Sequence, residues 1–126
     1  MLAEHAESDR VLELDPVADV GEVLGAQAAA GRVHASEALR RYVVAVLERT
    51  RLDSRTQLGA SPRAGLMLLK GAKALAALDG RDHALPDDVQ ALAPAVLTHR
   101  LLLGPDAAGS ERADVVRDAL ERVPAL

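Results

Sequence analysis

The sequence predicts an all-α fold, a small helical bundle in one domain. Of its 126 residues, 49% are hydrophobic and only 1% aromatic, so Leu, Val, Ala and Met must build the core. Sheets are normally enriched in aromatic and β-branched residues, whereas Leu and Ala favour helices. Helix caps and apolar side chains at helical spacing recur along the chain. The length leaves little room for a second domain.

The charge of the chain has the wrong sign for a nucleic-acid binder. Fifteen Lys and Arg residues stand against 19 acids, which gives a net charge of −4. Phosphate backbones are bound by concentrated basic surfaces, so we do not expect nucleic acid as a partner. The chain has no cysteine, no signal-like start and no apolar span of 18 residues. We therefore expect a cytoplasmic protein without membrane insertion.

The bundle is expected to follow a short lead-in. Residues 1–9, MLAEHAESD, are typical of the last turns of a helix that begins before this chain, because so short a helix is marginal alone. Residues 10–19 are predicted to be a connector, and residues 20–126 to form the helical domain.

Two helices are predicted in the first part of the bundle. Asp19 and Glu22 have the spacing of a capping box, which indicates a helix over about residues 20–30 that Gly31 ends. Ser36 is expected to cap the second helix, EALRRYVVAVLERTR. Its apolar stripe consists of Leu39, Tyr42, Val43, Val46 and Leu47.

A third, longer helix follows a predicted loop. Residues 52–60 show no sustained periodicity, whereas Ser61 as N-cap and Pro62 at the first helical position begin a helix that runs to Asp79. Gly80 stops it. Its buried side is expected to consist of Leu68, Leu69, Ala72, Leu75 and Ala76.

Two further helices complete the bundle. Pro86 begins the fourth, with Asp87 and Asp88 placed to meet the partial positive charge of a helix start. We expect Pro94 to break or kink this helix. After the turn GPDAAG, Ser110 is expected to cap the last helix. The apolar face of that helix consists of Val115, Val116, Ala119, Leu120 and Val123.

Two short stretches between helices, RVHA at 32–35 and RDHAL at 81–85, are predicted to be extended and could pair as a short two-stranded β element. His34 and His83 would then become neighbours. Two histidines without a third ligand do not make a metal site, and the four histidines of the chain lack a joint spacing on a helix. We therefore predict no metal ligands.

No catalytic motif occurs in the chain. The phosphate-binding loop G-x-x-x-x-G-K-[ST] is absent, because the only lysines, Lys70 and Lys73, lie inside the third helix, where we expect both to be solvated. The G-x-S-x-G elbow and the H-E-x-x-H zinc motif are absent too. We therefore predict no catalytic residue here and no enzymatic activity of the chain by itself.

Arg63 is the residue that helix chemistry leaves unexplained. It lies in the first turn of the third helix, where unpaired N–H groups favour acids. In one interpretation it is a solvated arginine that costs a few tenths of a kcal/mol. In the other, its guanidinium and the helix N–H groups converge on a phosphate oxygen. The local sequence leaves both interpretations open.

A family resemblance favours the second interpretation. Residues 59–103, GASPRAGLMLLKGAKALAALDGRDHALPDDVQALAPAVLTHRLLL, resemble the C-terminal lid of MoxR-type AAA+ ATPases. The blocks G-A-S-P-R, G-R-D, P-D-D-V and A-P-x-V-L-x-H-R occur in order and at the right spacing. The segments AGRVHASEALRRYVVAVLERTR and DVVRDALERVP are similar to other lid helices of the family, and residues 10–30 are the loosest part.

The resemblance implies a role for Arg63 as the sensor-2 residue, which reaches from the lid to the γ-phosphate of ATP. Ser61 and Pro62 would fix the helix start and hence the direction of Arg63. ATP and Mg²⁺ would be held by a nucleotide-binding domain that precedes residue 1, and none is expected on the chain alone. The pattern departs from the family at Leu85, where a capping Ser or Thr is common, and at His83, where aromatic residues are frequent.

The resemblance also implies partners. Members of the family are chaperone-like ATPases that form rings, usually hexamers, and often act with von Willebrand factor A domain proteins. Two alternatives without a nucleotide role stay open. One is a histone-like dimerisation module, although the charge of −4 disfavours a DNA binder. The other is a free-standing protein-interaction domain.

Overall fold

The computed structural model describes residues 14–105, 107 and 109–125, and within them it confirms the all-α bundle. The helices are α1 (Val20–Arg32), α2 (Glu37–Arg51), α3 (Pro62–Leu78), α4 (Pro86–Leu97) and α5 (Arg112–Arg122). A 3-10 turn, Thr98–Arg100, extends α4. The predicted helix end at residues 1–9 lies outside the described residues, and residues 14–19 of the connector form neither helix nor strand.

α3 is the central element of the bundle. It packs against α1, α2 and α4, while α5 packs against α2 and α4. α1 lies on this bundle without burying any residue of its own. The largest fully buried side chains are Leu39, Leu68, Leu97, Val46, Val89, Val115, Val116 and Thr50. The core is therefore mainly aliphatic, as the composition predicts, with Tyr42 and Thr50 among its buried exceptions.

Two β pairings connect the loops of the bundle. The predicted pairing of the extended stretches is confirmed as a parallel bridge between His34 and His83. The prediction of a plain loop over residues 52–60 is wrong, because strand β1 (Thr56–Leu58) pairs antiparallel with β2 (Leu102–Leu103). Strands of three and two residues are too short to show a period-2 pattern. They form because the α2–α3 loop meets the segment after α4.

Most helix ends lie where the sequence places them. The capping box at Asp19 and Glu22 is complete, with both bonds at 2.8 Å. Ser36 Oγ accepts the N–H of Leu39 at 3.0 Å. Gly80, just after α3, has a φ of 71°, a conformation that favours glycine.

The end of α1 and its contact with α3 differ from the predictions. α1 runs past Gly31 to Arg32. Lys73, expected to be solvated, donates from Nζ to the Gly31 carbonyl at 2.6 Å. This bond satisfies a carbonyl at the helix end from another helix, so no left-handed glycine is needed there.

Two further helix predictions are corrected. Pro94 does not break α4, which continues through it, and the wholly buried Ala93 and Leu97 hold its last turn in the core. The kink expected at Pro94 stays a prediction. α5 begins one residue later than a cap at Ser110 would place it. Its N-cap is Glu111, whose N–H donates to the Asp114 carboxylate at 2.9 Å. An acid three residues into the helix thus replaces the expected serine cap.

Candidate functional site

The start of α3 has the geometry that the sequence predicts. Ser61 has extended backbone angles, and its Oγ accepts the N–H of Ala64 at 3.3 Å. Pro62 occupies the first helical position, and the first turn contains no acid. Ser61 and Pro62 therefore fix the first turn of a helix whose positive end has no acidic side chain beside it.

Arg63 projects from this turn into solvent. Its side chain is exposed, and it makes no hydrogen bond or ion pair with any residue that the structure describes. The first intrahelical donor is Gly65, whose N–H bonds the Ser61 carbonyl at 3.3 Å. The guanidinium and the backbone N–H of Arg63 therefore lie together at the helix start, because Pro62 has no N–H and the N–H of Ala64 is bonded to Ser61. This arrangement is suited to an anion from outside.

The residues before Ser61 are held tightly against the end of α2. A Cβ at Gly59 would lie 2.6 Å from the backbone N and Cα of Arg51, so only glycine fits there. Ala60 is wholly buried; its N–H donates to Thr50 Oγ1 at 3.0 Å, and its carbonyl accepts from Arg51 Nε at 2.7 Å. Gly59, Ala60, Ser61 and Pro62 thus each have a physical reason within the fold, whereas Arg63 has none.

Sequence reasoning missed Thr50 and Arg51. Thr50 is wholly buried, and its hydroxyl also donates to the Leu47 carbonyl at 2.7 Å. A signal was present, because Thr50 follows Val43, Val46 and Leu47 on the same helical stripe. A hydroxyl on a buried stripe requires partners, and one of them is the chain segment just before α3.

α2 and α3 also approach closely beside the site. A Cβ at Gly65 would lie 2.5 Å from Leu47 Cδ1, so glycine allows this approach. On the solvent side the two helices form an apolar groove of about 410 Å³ that ends near Pro62. Its walls include Val44 and Leu66, which are 51% and 64% exposed. Apolar surface of this kind is typical of an interaction face.

The start of α4 carries a different arrangement of charge. Arg81 binds both carboxylate oxygens of Asp88, at 2.6 and 2.9 Å, and also Asp79 at 2.9 Å. Asp88 is buried and accepts the N–H of Leu85 at 2.7 Å, whereas Asp87 is exposed. The hydrogen bonds from Arg81 lower the pKa of Asp88. Asp88 thus serves the helix start, as the sequence predicts, and in addition pairs with Arg81, which the sequence does not predict.

The described residues offer no metal site. They contain no group of three or more His, Asp or Glu side chains placed to hold a metal ion. His34 and His83 are neighbours through the backbone, and His83 Nδ1 lies 2.8 Å from Asp82 Oδ1. Nor is any helix in this part of the chain long and apolar enough to cross a membrane.

Comparison with known proteins identifies the family. A family model described as "AAA lid domain" matches residues 48–120, from the end of α2 into α5. The chain belongs to the AAA lid domain family. The matched part of the lid includes the start of α3, the Arg81–Asp88 pair and the β1–β2 pairing.

Longer proteins contain segments similar to this lid. It is 34% identical over 125 residues to "Uncharacterized protein YeaC" of Bacillus subtilis, covering 98% of the lid and 39% of that protein. It is 38% identical over 104 residues to "Chaperone MoxR1" of Mycobacterium tuberculosis, covering 75% of the lid and 28% of that protein. The resemblance to MoxR-type proteins is thereby confirmed.

A solved structure agrees with this assignment. The lid superposes on the crystal structure of a "putative ATPase" from Cytophaga hutchinsonii with a TM-score of 0.78 and 28% identity. The match covers 84% of the lid and 36% of that chain. The lid thus spans well under half the length of each of these proteins.

Proposed function

We propose that this lid belongs to a longer AAA+ ATPase of the MoxR type and senses ATP there through Arg63. ATP would be bound by a nucleotide-binding domain that precedes the lid, and Arg63 would act as the sensor-2 residue on the γ-phosphate. The lid by itself would have no ATPase activity. The proposal includes a division of the chain into a helix end at 1–9, a connector at 10–19 and the lid at 20–126.

The single observation that carries this proposal is the unpaired charge at the start of α3. Every other feature of the G-A-S-P-R block has a partner within the lid, whereas the Arg63 guanidinium has none among the described residues. An uncompensated cation at a positive helix end is unfavourable by itself. A bound phosphate would reverse that effect, because it interacts favourably with both the guanidinium and the helix start.

The residues of the lid fit a phosphate and not a magnesium ion. Arg63 and the helix N–H groups are donors, which suit phosphate oxygens. Mg²⁺ requires oxygen ligands, and the first turn of α3 has no acid beside Arg63 to supply one. We therefore propose that the lid contributes only the phosphate contact, and that Mg²⁺ is held by the nucleotide-binding domain.

The contact between Arg63 and ATP would move the lid by shifting the population between its open and closed states. If Arg63 reaches the γ-phosphate only when the lid is closed, ATP stabilises the closed state and hydrolysis removes that stabilisation. The nucleotide state would then be passed to neighbouring subunits of a ring, which we expect to be a hexamer. We further propose chaperone-like remodelling of partner proteins, among them von Willebrand factor A domain proteins.

The exposed apolar surface of the lid supports such contacts. Leu66 and Met67 follow Arg63 on α3 with exposures of 64% and 40%, and Val23 and Leu24 of α1 are 49% and 58% exposed. The relatives are much longer than the lid, and the rest of such a chain, or a ring neighbour, would cover these side chains.

The test is ATP hydrolysis by the longer protein with Arg63→Ala. We expect kcat to fall about 100- to 1,000-fold, since loss of one preorganised donor to a developing negative charge has effects of this order. Lys70→Ala is the matched control, because Lys70 is an exposed cation on the same helix. An unchanged rate in the Arg63 variant would contradict the proposal and favour a protein-interaction module that uses the groove between α2 and α3.

A further inference from the structure

We propose that Thr50 and Arg51, in the last turn of α2, are positioning residues that fix the direction of Arg63. This inference rests on the proposed function of Arg63. Neither residue belongs to the G-A-S-P-R block, and neither needs to touch the nucleotide. They act through the backbone of Ala60, which lies three residues before Arg63.

The two side chains hold both backbone polar groups of Ala60. Thr50 Oγ1 accepts its N–H at 3.0 Å, and Arg51 Nε donates to its carbonyl at 2.7 Å. The contact of Gly59 with the backbone of Arg51 removes the space in which this segment could shift. Ala60 is therefore fixed by hydrogen bonds on both sides and by close packing.

The bonds to Ala60 act at the start of α3 together with the Ser61 cap and the close packing of Gly65 on Leu47. The buried residues Ala64, Leu68 and Ala72 hold the helix on the core along its length, but Ser61, Pro62 and Arg63 are all exposed. Exposed residues at a helix end fray more readily than buried ones, so a contact just before the N-cap restrains Ser61, Pro62 and Arg63. The bonds to Ala60 supply that anchor, so the guanidinium of Arg63 keeps one direction relative to α2.

Thr50 is well placed for this task because its own orientation is fixed. Its hydroxyl hydrogen is committed to the Leu47 carbonyl at 2.7 Å, which leaves the oxygen lone pairs for Ala60. The Thr50 carbonyl in turn accepts from Thr56 Oγ1 at 2.8 Å, at the start of β1. Contacts from both β1 and α2 thus hold Thr50 in place.

The experiment is a double-mutant cycle in the longer protein, measured as kcat and KM for ATP hydrolysis. Thr50→Val removes the hydroxyl at similar volume, and Arg51→Met removes the Nε donor while keeping an unbranched apolar stem at an exposed position. We expect each to lower kcat by about 10-fold, because misplacing a reacting group by about 1 Å costs up to about 100-fold. Thr50→Ser, which retains the hydroxyl, should restore the activity.

The decisive comparison combines each substitution with Arg63→Ala. If Thr50 and Arg51 act through Arg63, neither lowers kcat further in the Arg63→Ala background. Equal losses in both backgrounds, or wild-type rates for both single variants, would overturn the inference while leaving the role of Arg63 intact. A normal rate for Arg63→Ala alone would instead overturn the proposed function. If Thr50→Val does not fold, the Arg51→Met pair decides the question.

Discussion

α3 and α4 begin with the same backbone arrangement but carry charges of opposite sign in their first turns. Each has an extended N-cap residue, Ser61 or Leu85, followed by a proline at the first helical position. At α4 the first turn carries an acid, Asp88, that is buried and paired with Arg81. At α3 the first turn carries Arg63, exposed and without a partner among the described residues.

The difference separates a charge that is paired inside the lid from one that we propose binds a ligand. Asp88 joins the G-R-D and P-D-D-V blocks, because it bonds Arg81 before α4 and the N–H of Leu85 at its start. All its hydrogen bonds are made inside the lid. Arg63 is unfavourable for its own helix and makes no such bond with the described residues, which agrees with the phosphate contact that we propose for it. Substitutions at the two helix starts should therefore have opposite effects on stability.

The largest effect is expected from Asp88→Ala. It leaves Arg81 without its main partner and the N–H of Leu85 without an acceptor, so the free energy of unfolding should fall by about 2–4 kcal/mol. Chemical denaturation of this chain, followed by circular dichroism, measures the loss. Asp87→Ala is the control, and its exposed side chain should cost only a few tenths of a kcal/mol. Equal losses would show that the Arg81–Asp88 pair does not stabilise the fold.

Acid should weaken the paired carboxylates next. Hydrogen bonds from Arg55 lower the pKa of Asp53 to about 2, and those from Arg81 lower the pKa of Asp88. The carboxylates of the unfolded chain take up protons at a higher pH than those of the folded chain. The stability that the paired carboxylates contribute is therefore complete above about pH 4 and is lost as the pH falls towards about 2. After solvent screening we expect a loss of about 1–2 kcal/mol from Asp53.

Denaturation at a series of pH values tests this expectation. Asp53→Asn should flatten the dependence, because its side chain no longer titrates in the acid range. Arg63→Ala should leave the dependence as it is in the wild type, because no carboxylate in the described residues pairs with Arg63. A wild-type slope in the Asp53 variant would mean that other acids control the acid transition.

Ser61→Ala should have a smaller effect, confined to the start of α3. Loss of the bond from Ala64 N–H to Ser61 Oγ should lower the free energy of unfolding by about 0.5–1 kcal/mol. Ser61→Asp keeps an acceptor and should match the wild type or exceed it. Thermal denaturation of the three proteins would reveal the order, and an alanine variant as stable as the aspartate variant would refute the capping role.

The smallest effect on stability, and the one of opposite sign, is expected at Arg63. Arg63→Glu replaces a cation by an anion at the positive helix end and should stabilise the lid by a few tenths of a kcal/mol. Lys70→Glu, two turns further along α3, should bring no such gain because the field of the helix end decays within one turn. If Arg63→Glu is destabilising, the side chain has a structural partner and the contrast between the two helix starts fails.

The helices and the residues at their starts follow from local sequence. Side chains that bond within three residues of their own backbone, such as Ser36, Ser61 and the Asp19–Glu22 box, are readable because both partners lie in one short window. The same locality makes the start of α3, and the unexplained charge on Arg63, visible in the amino-acid sequence.

The meeting of distant groups, in contrast, depends on the packing of the folded chain. Arg55 bonds Asp118, 63 residues away, Lys73 bonds the Gly31 carbonyl, and Thr50 holds Ala60 in a segment predicted to be a loop. β1 and β2 likewise exist only because two loops come together. These contacts depend on how the helices pack, and the periodic pattern of residues within one segment does not predict that packing. The direction in which Arg63 points is therefore set by a neighbouring helix.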